Sequence, residues 1–213
     1  MQIKLQQVTP LFIEDEKIAG SQLWKKDIVF NQGEQVQVVA PSGSGKTSLV
    51  HFIYGMRKDY SGEIYYNDEK ISGLDAAGLS RFRQAQISIV FQDLRLFPEH
   101  TVLQNLEVKR QLQPYHDRSK IEEMVSRLGI LNKLGKLCRT CSYGEQQRVA
   151  IIRALQQPFD LLLLDEPFSH LDDNNRKKAM ELIEEEAVLR KAGIILADLK
   201  VTEHYHSTRT LHL

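Results

Sequence analysis

A chain of 213 residues with 42% apolar content holds material for one sizeable core, or one core with an insertion, and this excludes a disordered or fibrous protein. Lys plus Arg and Asp plus Glu each total 28, so no net basic field gathers a nucleic-acid backbone, and nucleic acid is not an expected partner. No stretch approaches the roughly 18 apolar residues that cross a bilayer, and the opening MQIKLQQVTP lacks the basic-then-apolar layout of a signal peptide, so the expected location is the cytosol.

The first forty residues read as short strands, Gln2 to Val8 and Ile28 to Phe30, broken by the turn residues Asn31-Gln32-Gly33, an antiparallel pattern. A strand from Gln35 to Val39 then runs into a glycine-rich loop, and Thr47 to Gly55 reads as a helix with Leu49, Val50, Phe52 and Ile53 apolar. Ile64 to Tyr66 followed by Asn67-Asp68 predicts a further strand and hairpin, and Ile87 to Phe91 another strand. From about Thr101 to Gly129 the apolar spacing turns helical, through Leu103, Leu106, Val108, Ile121, Met124, Val125 and Leu128, and Glu145 to Leu155 continues as helix. The all-apolar Leu161 to Leu164 has the pattern of a central parallel strand buried on both faces. Ile194 to Leu196 predicts another, and Thr210 to Leu213 an edge strand.

The loop Ala40-Pro41-Ser42-Gly43-Ser44-Gly45-Lys46-Thr47, with Ser48 after it, matches the phosphate-binding pattern G-x-x-x-x-G-K-[ST] everywhere but at Ala40, which stands for the first glycine. A polyphosphate needs inward-facing N–H groups, a helix N-terminus and a mobile cation. The loop supplies the first two, Lys46 is the cation, and the Thr47 hydroxyl can ligate Mg²⁺. Downstream, the Leu161–Leu164 run delivers Asp165 and Glu166 to a strand's C-terminal end, the edge where open α/β sheets bind ligands. Asp165 is placed to hold Mg²⁺, and Glu166 to polarise an attacking water as general base. Cys138 and Cys141 form one C-x-x-C with no second ligand pair at metal spacing, which reads as two ordinary thiols.

With these motifs in place, the sequence resembles the ATP-binding cassette (ABC) ATPases along nearly its whole length. Ile89-Val90-Phe91-Gln92, with Leu96-Phe97-Pro98 and Thr101-Val102, resembles that family's Q-loop, and the resemblance implies that Gln92 touches Mg²⁺ and the water near the γ phosphate while the loop behind it senses a membrane partner. Cys141-Ser142-Tyr143-Gly144-Glu145-Gln146-Gln147-Arg148 stands where the family's LSGGQ signature belongs; Ser142 and Gly144 match, and Cys141, Tyr143 and Glu145 depart from it. In the family this segment reaches across a dimer to the other chain's nucleotide, so Ser142 and Gly144 are implied phosphate contacts, and Glu145 is expected to place an unfavourable charge near them. Ser169-His170-Leu171-Asp172 resembles the D-loop at the same dimer interface. Asp198 falls where the family carries a switch histidine, and an ionised Asp accepts hydrogen bonds but cannot donate one. His204, expected a turn or two into a following helix, is an alternative at that position. For stacking on adenine, Phe12 is better placed than Trp24.

The resemblance implies an α/β fold with a P-loop core sheet, an N-terminal antiparallel β region and a helical insertion. Residues 1–92 and 151–213 would form the core, and 93–150 the helical part that carries the signature. The implied function is that of an ATP-binding and ATP-hydrolysing subunit whose copies pair around MgATP to drive separate transmembrane permease subunits, from the cytoplasmic face of the membrane. The stretch FQDLRLFPEHTVLQN is most similar to small subunits of the lipoprotein-release, cell-division and macrolide-export type. The altered signature and Asp198 are also compatible with a regulatory module that closes on ATP and turns over slowly.

Overall fold

The short apolar runs of this chain are long enough for strands, and burying them on both faces requires a layer on either side. A computed structural model, which describes residues 1–213, shows both layers. Five strands form a parallel sheet: β3 (Gln35–Val39), β6 (Ile87–Val90), β7 (Leu161–Asp165), β8 (Gly193–Asp198) and β9 (Arg209–His212), in the order β6-β7-β8-β3-β9. Four more, β1 (Ile3–Pro10), β2 (Asp27–Phe30), β4 (Tyr60–Tyr66) and β5 (Glu69–Lys70), make an antiparallel sheet ordered β2-β1-β4-β5.

Strand alternation splits the apolar residues between two cores. Leu161, Leu163, Ile195 and Ala197 face the antiparallel sheet, in a core with Val36, Val38, Phe52 and Trp24. Leu162, Leu164, Ile194 and Leu196 face the other way and pack with Ile121, Met124, Val125, Val149 and Ile152. The helical region is therefore no free-standing insertion: its apolar stripe shares one core with the sheet. It comprises α4 (Val102–Leu112), α5 (Arg118–Arg127) and α6 (Tyr143–Ala154), so the helical period from Thr101 to Gly129 resolves into two helices. Thr101 begins α4 with a reciprocal capping box to Gln104.

Three further helices have no counterpart in the sequence reading: the single turn α1 (Asp15–Ala19), α3 (Ala76–Ala85) and α7 (Asp173–Arg190). The P-loop helix, α2, spans Lys46–Ile53. Conversely, the helix expected around His204 does not form. Residues 199–208 are loop, in keeping with their poor helix formers Val201, Thr202, His204 and Tyr205, and His204 sits exposed in a turn at φ 67°. Cys138 and Cys141 are free and buried, and burial pushes the Cys138 thiol up to about 11, far from the reactive thiolate.

Candidate functional site

The C-terminal ends of β3, β7 and β8 lie side by side, and each passes straight into a loop carrying polar residues. The loops are tied to one another through the backbone. The Ala40 N–H donates to the Asp198 carbonyl at 3.1 Å and the Glu166 N–H to the Ala197 carbonyl at 2.9 Å, so both segments hang from the end of β8.

From Ala40 the chain turns through Gly43 (φ 78°) and Gly45 (φ 99°) into α2. Gly45 is required twice over: its backbone is left-handed, and a Cβ there would lie 2.7 Å from Ile13 and 3.1 Å from Trp24. Trp24 is only 1% exposed and donates its indole N–H to the Ser44 carbonyl at 3.4 Å. It supports the loop from beneath, which removes it as a stacking platform. Ser44 turns inward as well, its hydroxyl donating to the Pro41 carbonyl at 2.7 Å. Lys46, 4% exposed, donates to the Ala40 carbonyl (2.9 Å) and the Pro41 carbonyl (3.0 Å). Two of its three protons are thus committed to the loop, and its Nζ is 3.5 Å from Glu166 Oε1.

Thr47, Gln92 and Asp165 converge. The Thr47 hydroxyl is 3.1 Å from Gln92 Oε1 and 3.3 Å from Asp165 Oδ1 but has one proton to give. Asp165 Oδ2 is buried with no partner at all, and burial pushes its carboxyl up to about 6. Three oxygens sharing one proton, one carboxylate oxygen having none, form an environment that a small hard cation satisfies. The Gln92 amide donates to Glu166 Oε2 at 3.3 Å. Glu166 itself is left-handed at φ 45°, uncommon for a residue with a Cβ, and is held there by its N–H bond to Ala197 and by the Gln147 amide donating to its carbonyl at 3.4 Å.

A cleft of about 200 Å³ runs over these groups, lined by Phe12, Ser42, Gly43, Gly45, Lys46, Thr47, Ser48, Gln92 and Glu166. Phe12, 51% exposed, carries the Arg57 guanidinium 4.5 Å from its ring centroid, leaving its other face for a flat ligand. Ser142, Gly144 and Asp198 do not line this cleft. Ser142 caps α6 at the surface, and Gly144 lies against the D-loop-like turn, where a Cβ would meet the His170 carbonyl at 2.9 Å. The Asp198 carboxylate is folded back on its own turn, accepting from the Leu199 N–H (2.7 Å) and the Thr202 hydroxyl (3.1 Å).

Glu145 behaves differently from the expectation for a stray charge. It completes a capping box, accepting from the Ser142 N–H at 2.8 Å while Ser142 Oγ accepts from the Glu145 N–H at 3.3 Å, and it pairs with Lys133 at 3.0 Å. Burial alone would raise its pKa, but Lys133 and the Ser142 N–H hold the carboxyl below its usual range. Its charge is spent within the chain. Glu145→Ala is therefore expected to lower unfolding free energy by about 1 kcal/mol in urea titration, the worth of a helix cap. A variant of unchanged stability would show that the cap contributes nothing.

Two residues hold the site together in ways the sequence reading did not assign: Gln147, which matches the signature region but was given no role, and Arg153. Gln147, 1% exposed, joins α6 to Glu166 and, through Ser169 Oγ (3.2 Å) and the His170 N–H (3.1 Å), to the loop after β7. Arg153 donates to the carbonyls of Leu94 (2.6 Å) and Arg95 (2.7 Å), holding two successive left-handed residues just after Gln92. An arginine on the apolar face of α6 was the available signal for the second.

Comparison with known proteins decides the family. The family model described as "ABC transporter" matches residues 25–169. The chain belongs to the ABC transporter family. It is 36% identical over 160 residues to the lipoprotein-releasing system ATP-binding protein LolD of Syntrophotalea carbinolica, covering 74% of this chain and 70% of that one. It is 35% identical over 173 residues to the thiamine import ATP-binding protein ThiQ of Photobacterium profundum, covering 80% and 69%. The dimeric post-hydrolysis structure of the cassette MJ0796, bound to ADP and Pi, superposes with a TM-score of 0.85 at 26% identity, over 99% of this chain and 94% of that one. As an ABC ATPase the chain binds and hydrolyses ATP, and its α/β fold is that of the family's cassettes. No helix is long and apolar enough to cross a membrane.

Proposed function

We propose that two copies of this chain close on two MgATP molecules and that the closing and parting drive separate membrane subunits from the cytoplasmic face. The observation that carries the reading is the meeting of Lys46, Thr47, Gln92, Asp165 and Glu166 at one sheet edge. In it the N–H groups of residues 42–48 and Lys46 hold the β and γ phosphates, and Phe12 takes the adenine on its free face. Thr47, Gln92 and Asp165 would hold Mg²⁺, whose charge offsets that of the phosphates when bound. Glu166 draws a proton from a water as the water oxygen bonds to the γ phosphorus and the bond to the bridging oxygen breaks, leaving ADP and phosphate.

Ser142 and Gly144 lie at the start of α6, outside their own chain's cleft, as the pairing requires if they serve the nucleotide of the other copy. A groove of about 540 Å³ along α4, lined by His100, Gln104, Glu107 and Arg110 among others, offers a seat for the membrane subunit. Similarity to the lipoprotein-releasing protein supports a partner of the lipoprotein-release type. The purified chain is expected to bind MgATP in calorimetry and to release phosphate, faster once its membrane partner is added. Binding without any phosphate release under either condition would favour the slow regulatory module instead.

A further inference from the structure

The segment after β6 that carries Gln92 is held chiefly by side chains of a single helix, α6. The Asp93 carbonyl accepts from the Arg95 N–H within the segment, but the carbonyls of Gln92, Leu94 and Arg95 all accept from α6. Arg153, near the end of that helix, takes the last two. Tyr143, its first residue, takes the first: the Tyr143 hydroxyl donates to the Gln92 carbonyl at 3.2 Å, and that carbonyl has no other donor in the chain. The start of the helix is itself fixed, by the Ser142–Glu145 capping box, and the Tyr143 ring packs on His170 with centroids 4.2 Å apart.

Tyr143 and Gln147 are four residues apart, one turn along the same face of α6. Tyr143 grips the backbone of Gln92, and Gln147 grips the carbonyl of Glu166 at 3.4 Å. The side chains of those two residues meet each other at 3.3 Å, so one helix face sets the distance between them. We propose that Tyr143 is a positioning residue: its hydroxyl fixes the Gln92 peptide and thereby holds the Gln92 amide oxygen where Thr47 and Asp165 converge, ready for the cation. The assignment rests on the ATPase reading above. Acting through the backbone leaves the amide itself free for Thr47 and Glu166. The departure from the LSGGQ signature at position 143 then has a use, since a glycine there has no side chain to reach Gln92.

Tyr143→Phe keeps the ring on His170 and removes one hydrogen bond. Calorimetry with a non-hydrolysable ATP analogue, once with Mg²⁺ and once with a chelator, measures the gain in affinity that the cation brings. Steady-state phosphate release gives kcat, and a melting curve accompanies both. Tyr143→Phe is expected to leave the metal-free affinity and the melting temperature unchanged, to reduce the Mg²⁺-dependent gain about fivefold and to lower kcat by a similar factor, the worth of one neutral hydrogen bond. In a Gln92→Ala background the same substitution is expected to change neither quantity further, because it acts through the Gln92 side chain. A Mg²⁺-dependent gain equal to wild type in Tyr143→Phe overturns the assignment. So does an equal loss in the two backgrounds, which would make the contact merely structural. A wild-type chain that binds the analogue with Mg²⁺ but releases no phosphate from ATP removes the ATPase reading, and the affinity comparison still decides on Tyr143. A wild-type chain to which Mg²⁺ brings no gain at all removes the cation site, and the role of Tyr143 with it.

Discussion

Lys46→Ala is expected to weaken MgATP binding by about two orders of magnitude, with calorimetry on the purified chain as the measurement. The ammonium is almost fully buried, and within the chain it has two carbonyls and the Glu166 carboxylate around it. Bound phosphates replace the weaker of these contacts with charge-assisted ones, each worth about 1.5–3 kcal/mol, and alanine supplies none of them. The carbonyls of Ala40 and Pro41 lose a donor in the same substitution, so a melting curve accompanies the titration to separate lost affinity from lost fold. Wild-type affinity in a folded Lys46→Ala chain would remove the P-loop from the mechanism.

Glu166→Gln has the opposite signature. The amide keeps the size of the carboxylate and can still accept from Gln92, so nucleotide binding is expected to persist. It is a poor base, and general-base catalysis is worth about a hundredfold or more, so turnover should fall by at least that factor. With closing intact and hydrolysis slowed, an ATP-bound dimer should accumulate, visible as a doubled mass in light scattering after gel filtration with MgATP. Wild-type turnover in this variant rules Glu166 out as the base. Loss of binding together with turnover would mean instead that its pairing with Lys46 holds the cleft together.

The parts of the fold that could be read from the sequence are those whose cause is local. Leu161–Leu164 declares a doubly buried strand by composition, and the P-loop and its carboxylate pair declare themselves by spacing. What escaped depends on partners far along the chain. The buried stripe of α7 runs through Ala179, Met180, Ile183, Glu186 and Ala187, and its carboxylate reads as solvent-facing until His116 and Arg190 are seen beside it. His116 comes from a loop 70 residues away. Glu145 reads as a charge near a phosphate because it sits inside the signature-like segment, whereas the residue that pairs with it, Lys133, lies outside any motif. Asp198 is legible as the last residue of β8, but its side-chain direction is set by Thr202, and no pattern in the strand encodes that bond.

The left-handed backbone of Glu166 bears on how such a site can be lost. An L-residue in that conformation costs about 1 kcal/mol or more relative to glycine, and here the excess falls on the residue assigned to the chemistry. Drift toward a more comfortable turn would thus remove the carboxylate first, while Lys46, Thr47 and Asp165 sit on regular helix and strand and would be left undisturbed. A substitution that relaxes this turn, such as Glu166→Gly, would therefore leave the nucleotide-gripping residues in place and take away the base alone.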